Sequence, residues 1–246
     1  MQRRSWVVMV LVLALLAACS SIESGEISTE SLRMRVRVAS SATATDVEVA
    51  FRGPQANQVV TLAAGDEVSV SVLGGTPQAL TVEQPNSVNA RYVGALPAVA
   101  EGTVLVVSLT RATFQDAPDT RVTVPSAPVV TAPVAGPAAT AVVTAAWEPF
   151  ADDQVELRFR VDACADVEDD EEDAIQGLVA LLSETYEGAD GTGTIEWPFP
   201  AVACDADLLV GRFTGEVALD PALGAAHPTP SRIVRFAAPI ALSFTP

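Results

Sequence analysis

The sequence predicts an all-β protein: two antiparallel β-sandwich domains behind a cleaved signal peptide. Three observations predict it. Short runs alternate apolar and polar residues with period two, as half-buried strands do. Gly-, Pro- and Asp-rich turn signals separate those runs at about 8–12 residue spacing, the rhythm of a sandwich. Through the first domain no stretch of useful length shows helical period. The chain has 246 residues and is 49% hydrophobic, enough for a true core.

Residues 1–18 stand apart from the fold. Arg3 and Arg4 form a basic start, and Trp6 to Leu16 is apolar and uncharged. That run is shorter than the about 20 residues a membrane span needs. Leu16-Ala17-Ala18-Cys19 follows, and it resembles the lipobox of bacterial lipoproteins. The resemblance implies that Cys19 is acylated and becomes the N-terminus of a lipid-anchored, palmitate-bearing protein. Ser20 after it resembles the pattern of outer-membrane delivery. The residues by themselves leave open an ordinary secretory signal with an incidental Cys19.

Charge excludes several function classes. The chain carries 31 Asp plus Glu against 14 basic residues, for a net charge of −17, and every basic residue is Arg. Nucleic acid is not a partner, since its phosphates need a basic face. Loss of Arg3 and Arg4 with the signal peptide leaves a net charge of about −19. So acidic a protein is not drawn to anionic headgroups by its overall charge. Attachment to the membrane then rests on the acyl chains, of which stable anchoring needs more than one. His227 is the only histidine, which argues against a multi-histidine centre.

Along the mature chain, 19–30 is polar and reads as a flexible tether. The first sandwich spans 31–124. Leu32, Met34, Val36 and Val38 alternate with Arg33, Arg35 and Arg37, and Val47, Val49 and Phe51 alternate with Asp46 and Glu48. Val59–Leu62, Val68–Val72, Leu80 and Val82, Tyr92–Leu96, Val104–Leu109 and Val122–Val124 continue the series, with turns at Gly53-Pro54 and Gly74-Gly75. Residues 125–139 hold Pro125, Pro128, Pro133 and Pro137. They read as a stiff joint running directly into the next domain.

The second sandwich spans 140–246. Its strands are signalled by Val143, Ala145 and Trp147, then Val155, Leu157, Phe159 and Val161, then Ile195 and Trp197, Leu208–Phe213, and Ile233 to Phe244. The text around Trp147 resembles the early strands of fibronectin type III and related immunoglobulin-like sandwiches. Trp147 and Trp197 read as core. More widely, the chain resembles a group of uncharacterised two-domain bacterial envelope lipoproteins. Leu109-Thr110-Arg111, the Pro-rich joint, Trp147, Cys164, Cys204, Gly211–Gly215 and Arg232–Phe236 carry that likeness. It implies a fold and no function.

With Cys19 taken by lipid, Cys164 and Cys204 remain as a pair, and an oxidising exported compartment makes a disulfide the default. Closing so long a loop contributes about 4 kcal/mol in the chain-entropy account. No CxxC spacing suggests a redox or metal pair. From Asp166 to Asp173, seven of eight residues are acidic. The run reads as a solvated loop, with Asp166, Glu168, Asp169 and Asp170 as the candidates for a cation site should one exist. It lacks the glycine-turn spacing of a Ca²⁺ loop. The apolar spacing after it allows a short helix at 171–183, and sandwich context slightly favours a strand at 178–183.

No catalytic constellation emerges, and no cofactor or metal is expected. His227, followed by Pro228 and Pro230, reads as a surface residue. Gly191-Thr192-Gly193 reads as a hairpin turn rather than a nucleotide loop. The resulting expectation is a non-enzymatic binding or interaction module at the outer membrane, anchored by lipid, with an unknown protein or glycan partner. A structural or accessory lipoprotein of a periplasmic assembly is the alternative. A carboxylate-dependent hydrolase is the remaining one.

Overall fold

A computed structural model describes residues 21–55, 58–84, 89–133, 138–139, 141–165, 167–199, 201–227 and 229–244. Residues 1–20, on which the expected signal peptide and Cys19 fall, lie outside the described residues. The first half contains β1 (Ser21–Glu23), β2 (Arg33–Ser40), β3 (Ala44–Arg52), β4 (Val59–Thr61), β5 (Glu67–Val72), β6 (Gln78–Ala79), β7 (Thr81–Glu83), β8 (Arg91–Pro97), β9 (Val104–Thr110) and β10 (Ala117–Thr123). The second half contains β11 (Val130–Ala132), β12 (Ala138–Ala139), β13 (Val142–Trp147), β14 (Gln154–Cys164), the helix α1 (Asp169–Val179), β15 (Ser183–Glu187), β16 (Thr192–Glu196), β17 (Cys204–Thr214), β18 (Ala225–Ala226), β19 (Arg232–Phe236) and β20 (Ile240–Phe244). The fold class is all-β, as the alternation predicts.

Period two places the apolar set of each strand on one face, and two cores result. In the first, Met34, Val36 and Val38 of β2 and Val47, Val49 and Phe51 of β3 meet Val68 and Val70 of β5 and Leu105, Val107 and Leu109 of β9. The layer opposite β2 and β3 is the four-stranded sheet β10-β9-β5-β6. In the second, Leu157 and Phe159 of β14 and Leu208 and Val210 of β17 face Val143, Ala145 and Trp147 of β13 and Ile195 of β16. That opposing layer is β11-β13-β16. Trp197 stacks on Phe244 at 4.2 Å and meets Phe159 edge-on at 5.5 Å, so both tryptophans are core residues as expected.

The two sandwiches share one sheet. Its order is β1-β4-β3-β2-β19-β17-β14-β15. The joining pair is parallel, with Ile233 against Val38 and Arg235 against Ser40. The expected boundary between 124 and 140 therefore separates the cores but not the contributions to them. Ile233 and Leu223, from the second half, are buried in the first core, with Val217 and Leu219 packed on it. The segment before β18 also pairs with β10: the Arg121 and Ala218 backbones exchange hydrogen bonds, and Asp220 accepts from the Asp119 amide at 2.8 Å. Gly224 is required there, because a Cβ would lie 1.8 Å from the Glu30 carbonyl oxygen.

Two sequence expectations change here. First, the segment read as a tether is part of the fold from Ser21 onward. β1 pairs in parallel with β4, and Ser24 and Thr29 are buried. The cause is Arg111, whose side chain is fully buried and pairs with Asp66 at 2.8 Å. Its guanidinium also donates to the Ser24 and Ile27 carbonyls at 2.6 and 3.0 Å, and to Thr29 Oγ1. Asp66 in turn accepts from the Ser24 hydroxyl and the Ala112 amide.

Second, the acidic run does not form a loop throughout. It opens α1, where carboxylates suit the positive end of a helix. Ile175 and Val179 turn inward to the second core. The expected rival strand at 178–183 does not form; β15 begins only at Ser183. The Pro-rich segment supplies strands as it runs into the second sandwich: β11 pairs with β13, and β12 pairs with β20.

Cys164 and Cys204 form the expected disulfide, 40 residues apart in sequence and opposite each other where β14 meets β17.

Arg111→Ala is expected to cost about 3–5 kcal/mol, because it leaves Asp66 buried without its cation. Burial alone would raise the Asp66 carboxyl; the Ser24 and Ala112 hydrogen bonds and Arg111 outweigh it and hold it below its ordinary value. That stabilisation is complete above about pH 4 and is lost as pH falls below it. Urea titrations from pH 7 to pH 2 will show this acid loss in the native protein and its reduction in Asp66→Asn. Ile233→Ala should cost about 2–5 kcal/mol and lower the melting temperature of the first sandwich, although the residue lies in the second half of the chain.

Candidate functional site

The outward faces of the shared sheet gather most of the arginines. On β2 the inward set is apolar, so Arg33, Arg35 and Arg37 face outward. Antiparallel register places Arg37 opposite Glu48, Arg35 opposite Ala50, and Arg33 opposite Arg52 on β3. On the other side of β3, Glu48 faces Val93 of β8, and Arg91 lies one step along on the same face. Across the joining pair, Arg232 of β19 lies beside Arg37. β14 adds Glu156 and Arg158.

Part of this set lines an open cleft of about 850 Å³ where the two halves meet. Its walls carry Arg37, Arg91, Arg158 and Arg232 together with Asp46, Glu48, Glu83 and Glu156. Glu48 pairs with Arg35 at 2.9 Å and lies 3.7 Å from Arg37 and 3.9 Å from Arg91. Glu83 holds Arg91 at 2.9 Å, and Glu156 holds Arg232 at 2.9 Å. Its floor includes Ala39, Val234 and Phe236, part of a small apolar cluster with Leu209 and Phe213. Phe236 lies flat against β17 only because residue 211 is glycine; a Cβ there would come within 2.7 Å of its ring. The Arg158 guanidinium covers that ring at 4.4 Å, and Arg232 covers Phe213 at 4.3 Å. Leu181, just past α1, stands at the rim with 80% of its surface exposed.

Beside the cleft is a smaller hollow of about 290 Å³, lined by Arg35, Arg37, Arg52 and Arg91, with Glu48 the only acid among the described residues that line it. Burial lowers the pKa of Arg35, the charges of Arg37 and Arg52 lower it further, and Glu48 opposes them. Arg35 Nε is buried without a hydrogen-bond partner. Ala50 lines the hollow with only a methyl group, which leaves room among the four arginines.

Among the described residues, none of the other sequence candidates lines this cleft. Asp166 is outside the described residues. Glu168 is exposed immediately before α1, and Asp169 and Asp170 open its first turn. Among the described residues no group of three or more His, Cys, Asp or Glu side chains is placed to hold a metal. Gly191, at φ 69°, makes the turn ahead of β16, but the expected hairpin does not form: β15 pairs with β14, β16 pairs with β13 in the other sheet, and Thr192 and Gly193 lie within β16.

His227 departs from expectation: it is buried rather than on the surface. Its Nδ1 accepts from the Thr229 amide at 2.9 Å, and Nε2 has no hydrogen-bond partner. Burial, then the charge of Arg35, lowers its pKa to about 4, so it is neutral at pH 7. What sequence reasoning missed is the convergence of the arginines. The alternation of Arg33, Arg35 and Arg37 was the visible signal, but it reads equally as an ordinary solvated face.

No family model and no curated protein matches this chain. Among solved structures, the chain is similar to a cytokine receptor complex at 16% identity and a TM-score of 0.28, over 85% of this chain and 94% of that one. It is also similar to the FN1–FN3 domains of chicken CNTN1, at 12% identity and a TM-score of 0.30, over 86% of this chain. A third is the adhesin InvE of Yersinia pseudotuberculosis, at 13% identity and a TM-score of 0.25, over 89% of this chain. The chain spans 63% and 60% of the length of the last two.

Because the folded-state pKa of His227 lies below its unfolded value, the stability it contributes is complete above about pH 6.5. It falls as pH drops through 6.5 toward about 4. Thermal melts between pH 7 and pH 4 will lose less stability in His227→Gln than in the native protein; parallel curves would assign the loss to other groups.

Proposed function

We propose that this protein is a lipid-anchored cell-envelope module that binds a protein or glycan partner and catalyses no reaction. The observation that carries the reading is the open cleft at the seam. It combines an apolar floor, paired charges along both walls and an exposed leucine at its rim, which suits recognition of an extended polar ligand. The catalytic alternative finds little support: the one histidine is buried and neutral outside the cleft, and the cleft carboxylates other than Asp46 are engaged by arginines. The Cys19 lipobox supports the anchor, and outer-membrane delivery follows from Ser20.

Cys19→Ala should move the protein from the membrane fraction to the soluble fraction; continued membrane association would defeat the anchor. Binding is tested on arrays of oligosaccharides and peptides probed with the purified protein. At least one class should be retained, and Ala95→Trp, an exposed cleft position, should reduce that retention about tenfold or more. Retention unchanged by the substitution would place recognition outside the cleft. Protease treatment of intact cells, with an epitope tag after Pro246, distinguishes a surface module from an accessory lipoprotein facing the periplasm.

A further inference from the structure

We propose that the cleft receives an extended peptide segment of a partner protein, one that carries a basic and an acidic side chain two to four residues apart. The basic group goes to Asp46 and the carboxylate to Arg158. The proposal rests on the reading of the cleft as the recognition site, and it names the chemistry of the ligand.

The cleft is balanced in charge. Its described lining residues include four acids, Asp46, Glu48, Glu83 and Glu156, and four arginines, Arg37, Arg91, Arg158 and Arg232. No excess of either sign selects the ligand; the pairing within the cleft does. Glu156 holds Arg232, Glu83 holds Arg91, and Glu48 serves Arg37 together with Arg35 and Arg91. Among the described residues, Asp46 and Arg158 are the two members of this set left without an ion pair.

The fold accounts for both. Asp46 is exposed on the outward face of β3, where register sets it between Ala95 of β8 and Ala39 of β2. Val234 of β19 follows in the same row. These neighbours offer it no donor, and a ligand seated over them excludes water from the carboxylate, which strengthens its hold on a cation. Arg158, on β14, lies over the Phe236 ring at 4.4 Å. Burial is the largest influence on it and lowers its pKa; Glu156 raises it, Arg232 and Arg160 lower it, and Asp46 raises it from across the cleft. A guanidinium so placed gains from an anion that brings two acceptor oxygens.

The length of the ligand follows from strand spacing. From β14 the sheet reaches β3 in four steps, through β17, β19 and β2, a span of about 19 Å. About six extended residues cover it at about 3.3 Å each. Alternate side chains of such a segment face the floor, so charges two or four positions apart, about 7–13 Å, both reach it. A glycan fits less well. Phe236 is the one aromatic ring among the described lining residues, and the Arg158 guanidinium occupies its face. A sugar ring has no open aromatic surface to stack on.

The test uses the purified full-length protein and synthetic peptides with blocked ends and a Ser, Thr and Val background. Each carries one Lys and one Glu, two or four positions apart, in either order. Matched peptides replace Lys by norleucine or Glu by Gln, and affinities are read from the anisotropy of a neutral dye. At least one doubly charged peptide should bind about fivefold or more tightly than each of its singly charged matches. Asp46→Asn should abolish the advantage given by Lys and keep that given by Glu. Arg158→Gln should do the reverse, and Arg158→Lys should retain part of the Glu advantage, which separates lost charge from lost packing on Phe236. Equal affinities for singly and doubly charged peptides, or variants that do not discriminate between the two charges, would overturn the proposal. So would the absence of any binding up to about 1 mM peptide. In that case an oligosaccharide whose retention is lost in Ala95→Trp leaves the cleft as the recognition site with a different occupant. Retention that Ala95→Trp leaves unchanged removes the cleft reading itself.

Discussion

The parallel pairing of β19 with β2 is the constraint on which the rest of the structure depends. Two sandwiches joined only by a linker would each finish their own sheet and leave edges exposed to other chains. Here the edge of one is the continuation of the other. A strand from the last 15 residues lies against the first long strand of the fold, and it places Ile233 in the first core. The connection leading to it covers the edge at β10. A continuous outer face follows, and with it the cleft between the halves. Strands paired so far apart in sequence are costly to close. The buried side chains and the added backbone hydrogen bonds of the seam offset that cost.

A second buried device works at the opposite end of the chain. Arg111 and Asp66 are both removed from solvent, and either alone would be strongly destabilising. Together they leave few polar groups unsatisfied, because the remaining guanidinium donors are taken by the carbonyls and hydroxyl of the segment before β2. The pair therefore does more than hold the first sandwich together. It fixes the path of the chain between β1 and β2.

Much of this was legible in advance, and the reason is periodicity. The alternation in Leu32–Val38 and Val155–Val161 fixes which side chains go inward whatever the partner strand. The disulfide followed from the number of cysteines. The helix at 169–179 was harder, because acids ahead of four apolar residues suit either a helix or a loop and strand. Burial of Ile175 and Val179 decided it. The tether and His227 were misjudged because polar residues and prolines mark exposure only on average; a buried arginine and a covering loop reversed both.

The sequence by itself determined the strand-rich class, the inward faces, the pairing of Cys164 with Cys204 and an acidic total charge. These depend on local pattern and composition, which any register preserves. Only the tertiary structure decided that β19 would join β2, that Arg33 and Arg52 would stand in one row with Ser21, and that Ala50 would open a hollow among arginines. Those are matters of register between strands distant in the chain, and register is set by the packing of whole faces rather than by any one segment.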